Sequence, residues 1–518
     1  MSKRFKKIGI TVAAVFVLGI VLFVVADNIV KNKVENLLQN ELPANLQLTY
    51  SELKISTING RITLVKPQIV QKGEITNNEN FTASLEILLI DDVSYWDVLF
   101  NDKMYIQNIE LNTPTIVYFK NDTIDKNEYK KQNAKELKQS FHIEKLSILN
   151  GDVTVFDAAN DSLLLKSSGM MLVMDDVMTD AKTMEKKLPF TYSNYELKMQ
   201  EVFLKSGEYE NLKVGDVNIN KQKAVLKSVK LQTKYSKAQL SRRITKERDH
   251  FDISIDSMVL DSQQFGYKKD SIFYFKTSKL SLYQPQLNVY RDKLVADDPS
   301  IKLLYSRMLR ELPIDLTIND LIIEKGTINY SEKVNADQPA GEIVFTQLDA
   351  QLKNVSNTYA STDKTQIRIQ SYFMETTPLK VEWDFDVNDA SDTFTFKADL
   401  GTMPAERMNM FTQPNLKVQL VGEVLQTYFT MQGNPNQSRI DLKLKYDNFE
   451  VKVLDKKGQK INKFLSSIAN LFIKKDSETS TDDFREAYVE VERDKTKSVF
   501  NFLWLNVKAG LLEAMTGG

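Results

Sequence analysis

The sequence contains no cysteine, which excludes disulfide frameworks, thiolate metal sites and cysteine nucleophiles. Glycine and proline are scarce, with 18 and 12 residues among 518, roughly half of their usual shares. Few residues therefore interrupt the chain, and this favours long regular elements over disorder. The net charge is −1, and acidic and basic residues are interleaved along nearly the whole chain. Since a nucleic-acid binder carries a clustered basic excess, we expect no nucleic-acid partner.

Residue patterns that support catalysis are missing from the sequence as well. The two histidines, His142 and His250, show no metal-ligand spacing. There is no phosphate-cradling glycine loop, no nucleophile elbow and no HExxH motif. We therefore predict that the protein is not an enzyme, and that it has no catalytic residues, no metal and no cofactor.

One long apolar run stands at the start of the chain, from Ile8 to Ala26. Its 19 residues would span about 28 Å as a helix, close to one bilayer core. Lysines and an arginine precede it, so residues 1–7 should stay in the cytoplasm and residues after the span on the far side. The alternative is a cleaved signal peptide, but the run exceeds the usual apolar region of about 7–15 residues. We predict a single-pass anchor over 8–26 and a juxtamembrane helix over 27–43.

The rest of the chain shows a period of two, as in Arg439–Lys445 and Thr393–Lys397. Strict alternation indicates strands with one buried and one wet face, a habit of antiparallel sheets. The pattern predicts a mainly β fold with two β parts, over 44–297 and 314–456. A helical connector is predicted over 298–313 and a helical region over 457–518. The individual helices are predicted over Asn127–Ser140 (as helix or linker), Asp298–Glu311, Pro404–Met410, Lys457–Lys474 and Lys497–Met515.

Two segments recur in the same order. The segment Ile109–Tyr118 returns as Leu280–Val289, which aligns Pro114 with Pro285. The segment Ile143–Val155 returns as Ile318–Tyr330, which aligns Gly151 with Gly326. A related phrase runs from Leu53 to Leu64. Repeats of this kind indicate units that stack and bury each other, although an ordinary β-sandwich with similar hairpins remains an alternative.

These features resemble the AsmA-like family of inner-membrane-anchored envelope proteins, which includes AsmA, TamB and YhdP relatives. The resemblance rests on the segment after the anchor, Leu42–Leu64, and on the repeated I-x-x-L-x-I-x-x-G-x-I-x-Y phrase, interpreted as a hairpin. It rests also on the C-terminal segments Leu400–Asn409, Val421–Val424 and Arg439–Leu454. Arg439 and Ile440 stand where the family often has a glycine. The resemblance implies an elongated, twisted antiparallel sheet curled into an open groove, with an apolar inner face and a charged outer face.

The resemblance also implies a location and a ligand. The bulk of the chain would lie in the periplasm and bind or transfer phospholipid for outer-membrane biogenesis or envelope homeostasis. Acyl chains gain about 0.8 kcal/mol per CH₂ on leaving water, so an apolar groove needs no specific bonds. The alternative is that the groove residues form an ordinary core. The predicted groove residues are the apolar positions of the repeated phrase: Leu146, Ile148, Val153, Val155, Leu321, Ile323, Ile328 and Tyr330.

The two C-terminal helices carry a second prediction. The first is basic and amphipathic and could lie on an anionic membrane or cap the sheet end. The last is apolar nearly all round, so it should be buried, docked on a partner or in contact with lipid. A stable envelope protein partner would make the chain a non-catalytic scaffold or assembly factor for outer-membrane proteins, the alternative function. The predicted contact residues are Phe464, Leu465, Ile468, Phe472, Phe502 and Trp504.

Overall fold

The computed structural model describes most of the chain after residue 45. The described ranges are 45–56, 59–72, 79–94, 103–120, 140–184, 186–269, 271–360, 363–455 and 483–516, with scattered residues in 31–38 and 458–477. These residues are mainly in strands, as the alternating pattern predicts. The strands are β1 (Leu46–Thr49), β2 (Glu52–Ser56), β3 (Arg61–Val65), β4 (Gln68–Lys72), β5 (Glu79–Ser84), β6 (Ile87–Val93), β7 (Lys103–Asn112), β8 (Thr115–Lys120), β9 (Ser140–Asp157), β10 (Leu163–Thr179), β11 (Asn194–Lys205), β12 (Glu210–Asn220), β13 (Lys223–Thr233), β14 (Asp249–Asp261), β15 (Gln264–Lys268), β16 (Ile272–Tyr283), β17 (Gln286–Asp292), β18 (Asp315–Lys333), β19 (Gly341–Ser356), β20 (Thr365–Phe373), β21 (Thr377–Phe385), β22 (Phe394–Leu400), β23 (Met403–Pro404), β24 (Val418–Gly433), β25 (Gln437–Val453) and β26 (Arg485–Glu492).

Short helices connect some of these strands. They are α1 (Ala181–Met184), α2 (Lys237–Arg243), α3 (Tyr305–Arg310), a 3₁₀ turn (Ala405–Met408) that leads into α4 (Asn409–Leu416), and α5 (Val499–Thr516). Among the described residues no helix is both long and apolar enough to cross a membrane. The predicted anchor over 8–26 lies outside the described residues, and so does the segment 121–139.

The chain divides into two compact units. The first comprises Met1–Lys205 with Gly215–Lys221, and the second comprises Ser206–Val214 with Gln222–Gly518. In the first unit, β1 to β8 form four long strands, each interrupted at its middle, that pair as successive antiparallel hairpins. Both halves of the fourth, β7 and β8, then pair with the uninterrupted β9, which is followed by β10 and β11.

The second unit repeats this order and extends it. Here β14 pairs with both halves of an interrupted strand, β16 and β17, and both halves pair with β18. From β18 the sheet continues antiparallel through β19, β20, β21, β22, β24, β25 and β26. The sequence duplication therefore coincides with a structural one.

The sheets are mixed, and this corrects the antiparallel prediction. The strand β9 runs parallel to β7 and β8, and β18 runs parallel to β16 and β17. A parallel neighbour requires a crossover of a dozen or more residues. The chain between the strands is long enough at equivalent places in the two repeats, with residues 121–139 between β8 and β9 and residues 293–314 between β17 and β18. Alternation alone gives the period of a strand but not the direction of its neighbour.

The repeated glycine phrase also differs from its prediction as a hairpin, because β9 and β18 each continue through it. Asn150 and Lys325 have φ of 54° and precede Gly151 and Gly326. At each site the pairing with both neighbouring strands resumes after the irregularity, so the glycine marks a β-bulge. Only the earlier phrase, Leu53–Leu64, forms a hairpin, between β2 and β3.

Two of the predicted helices are confirmed, and one is wrong in part. The C-terminal prediction is confirmed as α5, and the one at 404–410 is confirmed as the 3₁₀ turn and α4. The prediction over Asp298–Glu311 is wrong in its first half, since α3 begins only at Tyr305. Asp298 accepts bonds from the backbone and hydroxyl of Ser300, and the Lys302 backbone donates to Lys495, which withdraws this stretch from a helix. Most of 457–474 lies outside the described residues.

Candidate functional site

Each repeat has a proline in its interrupted strand and a glycine in the parallel neighbour, namely Pro114 with Gly151 and Pro285 with Gly326. Around both pairs the strands have the same arrangement. The Thr113 amide donates to Leu149 at 2.8 Å and the Asp152 amide to Pro114 at 2.7 Å. Their counterparts in the second unit follow the same pattern. There the Gln284 amide donates to Glu324 at 2.8 Å and the Thr327 amide to Pro285, also at 2.8 Å. A side chain on Gly151 or Gly326 would meet the proline ring at 3.0 Å or 3.3 Å. Each glycine therefore lets the interrupted strand lie closely against its parallel neighbour.

The bulges keep the predicted residues on one face. An extra residue shifts the period of two, so Leu146 and Ile148 before the bulge share a face with Val153 and Val155 after it. Across β7 and β8 their partners are Ile109, Leu111, Ile116 and Tyr118. The same relation in the second unit pairs Leu321, Ile323, Ile328 and Tyr330 with Leu280, Leu282, Leu287 and Val289. The structure thus brings all eight predicted groove residues onto equivalent apolar faces.

In the first unit these residues belong to apolar rows that cross the sheet from strand to strand. We call the side that bears them the apolar face and the opposite side the outer face. One row consists of Leu53, Leu64, Leu88, Leu111, Ile148, Leu172 and Leu197. The next row consists of Ile55, Ile62, Ile90, Ile109, Leu146, Met174 and Tyr195. Part of this face is covered, because Val34 packs against the cluster around Ile62, Val93 and Ile106.

In the second unit two rows of side chains cross the sheet from strand to strand, through β13, β14, β16, β18, β19, β20, β21, β22, β24, β25 and β26. One row consists of Leu226, Met258, Leu282, Ile323, Ala350, Ile369, Val381, Ala398, Phe429, Leu442 and Ala487. The other consists of Ala224, Leu260, Leu280, Leu321, Leu352, Ile367, Trp383, Phe396, Met431, Ile440 and Val489. Every position in both rows is apolar, so the register aligns one continuous apolar surface.

The outer face of the same strands is polar and rich in opposite charges. A row there contains Lys279, Asp320, Lys353, Gln366, Asp384, Thr395, Gln432, Arg439 and Glu490. Neighbouring strands are tied by ion pairs such as Arg368 with Asp384 at 2.8 Å and Lys443 with Glu486 at 2.7 Å. The sheet is therefore amphipathic across its thickness, and one of its faces needs a cover or an apolar ligand.

Helices cover the apolar face at one end of the second unit, over β20 to β26, which we call the covered end. Phe502 of α5 is 2% exposed and meets Phe394 with ring centroids 6.4 Å apart. Trp504 packs edge-on against Phe411 of α4 at 5.9 Å, and Tyr305 of α3 meets Trp383 at 5.3 Å. Met431, Ile440, Leu442 and Leu444 beneath them are at most 1% exposed.

This packing bears on the predicted contact residues. Phe502 lies in the core, so its prediction as a membrane or partner contact is wrong: a nearly all-apolar helix satisfies itself on its own sheet. Trp504 lies partly buried beside Phe411. Phe464, Leu465, Ile468 and Phe472 lie outside the described residues. The exposed apolar side chains of α5 are instead Phe500, at 63%, and Leu512, at 58%.

The strand β19 borders the covered end, because its Ile343 packs against the helix cluster. The face from β13 to β18 is the uncovered stretch. Within the described part of the chain, none of its residues joins the buried cluster formed with α3, α4 and α5. The row members Leu226, Met258, Leu282 and Ile323 are half-buried. Burial, with the nearby Glu332 carboxylate, raises the pKa of Tyr330, so its phenol stays neutral on this face.

The repeated phrase marked groove positions in one strand of the uncovered stretch, β18, and in none of its other strands. The strands β13 and β14 carry no repeated segment. The end of β16 and most of β17 belong to the repeated segment Leu280–Val289, in which no groove position was predicted. Their period of two could have identified the face, but only the register shows that Leu226 and Met258 continue the rows of Leu282 and Ile323. Comparison with known proteins adds no family: neither a family profile nor a curated protein sequence matches the chain.

Proposed function

We propose that the protein is a non-catalytic lipid-binding or lipid-transfer protein of the bacterial envelope, anchored in the inner membrane by residues 8–26 with its bulk in the periplasm. The apolar face of each unit would line an open groove that holds phospholipid acyl chains. One observation supports the proposal: the uncovered stretch continues two all-apolar rows, and among the described residues none of its strands joins the cluster that the helices cover. The AsmA-like resemblance supports the same proposal and the expected role in outer-membrane biogenesis.

The energetics favour such a ligand. The chains of a phospholipid bring many CH₂ groups, each worth about 0.8 kcal/mol on leaving water. The half-buried leucines and isoleucines of the rows would become fully buried at the same time. No directional bond is needed, which agrees with the lack of polar side chains in the rows. Head groups would remain in solvent at the open side.

Site-specific photo-crosslinking in living cells tests the proposal with the full chain. A benzophenone side chain is placed at Leu280 or Leu226 on the apolar face of the uncovered stretch, and at the matched controls Lys279 and Lys227, one residue away on the exposed outer face. With radiolabelled phosphate in the lipids, we expect labelled adducts at the two leucine positions only. Equal labelling on both faces, or none at the leucines, would contradict the groove.

The alternative function, an envelope scaffold, is favoured by one feature, the exposed Phe500 and Leu512 on α5. Removal of the whole helix would unfold the covered end, so it cannot test a partner. The double substitution Phe500→Ser and Leu512→Ser leaves the buried side of α5 intact. A protein partner recovered in mild detergent with the native chain, and lost with this variant, would favour the scaffold.

A further inference from the structure

A strongly basic segment interrupts the even charge pattern of the chain. Residues 234–248, which we call the basic segment, contain six lysines and arginines and one glutamate, whereas the whole chain has a net charge of −1. The segment lies within the second unit, between β13 and β14. Its charge is therefore a local feature that an overall count conceals.

A capped helix and a buried leucine hold this segment in place. Ser236 caps α2, with its hydroxyl accepting from the Gln239 amide while the Gln239 side chain accepts from the Ser236 amide. Leu240, at 2% exposure, anchors the helix to the end of the sheet. Arg242, Arg243 and Lys246 follow on the exposed side. The cations are thus presented from an anchored turn.

Tyrosine rings lie among the cations. The Arg243 guanidinium sits 4.3 Å from the Tyr235 ring centroid, and that of Arg248 sits 4.4 Å from Tyr209. The Lys237 ammonium sits 4.8 Å from the ring of Tyr290. Each ring has a polar tip and an apolar body, the combination enriched where proteins meet the bilayer interface.

The nearby acids leave the charge excess in place. Glu210 is engaged by Arg248, and Glu247 is 8% exposed and bound by Lys293 at 2.7 Å. Neither can neutralise the exposed Arg242, Arg243 and Lys246. Clusters of four to eight basic residues bind anionic lipid surfaces, at about 1 kcal/mol for each cation. We propose that the basic segment docks the second unit onto the surface of a bilayer that contains anionic phospholipid.

This docking is independent of the proposed groove, because the segment contributes no residue to the apolar rows. The test uses the full chain held in zwitterionic nanodiscs of phosphatidylcholine. Protein-free vesicles are added, either of phosphatidylcholine alone or with phosphatidylglycerol, and co-sedimentation gives the partition coefficient. We expect binding only to the anionic vesicles, and its loss when salt rises from about 0.1 M to 1 M, since the screening length falls from about 10 Å to 3 Å.

A neutralised variant assigns the binding to the segment. Arg242→Gln, Arg243→Gln and Lys246→Gln together should lower the partition coefficient about 100-fold, the equivalent of about 3 kcal/mol. The matched control Lys380→Gln, Lys397→Gln and Lys443→Gln removes three exposed charges from the outer face of the covered end and should change it less than about 3-fold. Unchanged unfolding midpoints establish that both variants fold.

Three results would overturn the proposal. Equal binding to both kinds of vesicle would show that anionic lipid is not recognised. Equal losses in the two variants would assign the effect to net charge alone. Binding of nucleic acid or an acidic polypeptide without binding of anionic vesicles would assign the segment to a polyanionic macromolecule.

Discussion

The apolar face of the second unit differs sharply between its two ends, although the same two rows run through both. At the covered end Leu442 is 1% exposed and Met431 and Ile440 are fully buried beneath α5. In the uncovered stretch Leu282 and Ile323 are half-buried, and among the described residues neither belongs to the cluster that α3, α4 and α5 cover. The side-chain chemistry is alike, so the difference comes from what lies above. The same apolar pattern therefore forms a closed core where a helix covers it and remains partly exposed in the stretch that none of the described helices covers.

Shortening a row leucine to alanine should lower stability far more at the covered end than in the uncovered stretch. Leu442→Ala should lower the free energy of unfolding by about 2–5 kcal/mol, because it opens a cavity under α5. Leu282→Ala on the same row should cost about 1 kcal/mol, because its side chain is already partly in water. Urea unfolding of the full chain in detergent measures both. Equal losses would mean that the uncovered stretch is packed as a core.

The two ends also differ in how much room surrounds the glycines at their bulges. Gly422 has φ of 106°, and a Cβ there would lie 2.3 Å from the Asn448 carbonyl oxygen. Gly422→Ala should therefore destabilise the covered end by about 2–4 kcal/mol through strain and overpacking. Gly326→Ala meets its nearest atoms at 3.3 Å and should cost about 1 kcal/mol. Thermal unfolding measures both losses of stability. A larger loss for Gly326→Ala than for Gly422→Ala would show that the bulge in the uncovered stretch is the more tightly packed of the two.

A buried hydrogen bond fastens α5 to the sheet. The Ser438 hydroxyl donates to the Asn506 Oδ1 at 2.8 Å, and the Asn506 amide donates to the Phe502 carbonyl at 2.8 Å. Asn506→Ala should cost about 1–3 kcal/mol, because it leaves the buried hydroxyl without an acceptor. A double-mutant cycle with Ser438→Ala measures the coupling. Additive losses in that cycle would show that the bond does not hold the helix.

The smallest effect concerns the start of α5, where Lys497 donates to Asp297 at 2.6 Å. This hydrogen bond lowers the pKa of Asp297. A lowered folded-state pKa gives stability that is present above the unfolded value of about 3.9 and is lost as pH falls through the folded value. Asp297→Asn and Lys497→Gln should each flatten the acid side of the stability profile below about pH 4. A stability profile that neither substitution changes would show that this hydrogen bond contributes no pH-dependent stability. We expect a small effect because the site is exposed to solvent.

Much of the fold could be predicted from the sequence. The period of two identifies the strands, and the low glycine and proline content agrees with their length. The aligned Pro114 and Pro285, and Gly151 and Gly326, predict a duplication that the hydrogen bonds reproduce. These signals are local, because the residues that carry them are neighbours in the chain.

The missed features depend on distant partners. The direction of β9 and β18 follows from crossovers of about 20 residues, which alternation does not encode. The burial of Phe502 follows from where α5 lies, and an all-apolar helix has the same composition on a sheet, a membrane or a partner. The basic segment was missed for a different reason, since charge averaged over the chain hides a local cluster.

Photo-crosslinking to labelled phospholipid at Leu280 and Leu226, with Lys279 and Lys227 as controls, in cells that make the full chain tests most directly whether the uncovered stretch holds lipid. We expect lipid adducts at both leucines and none above background at either lysine. Labelling that is absent at the leucines, or equal on the two faces, would contradict the claim that the uncovered apolar face holds lipid.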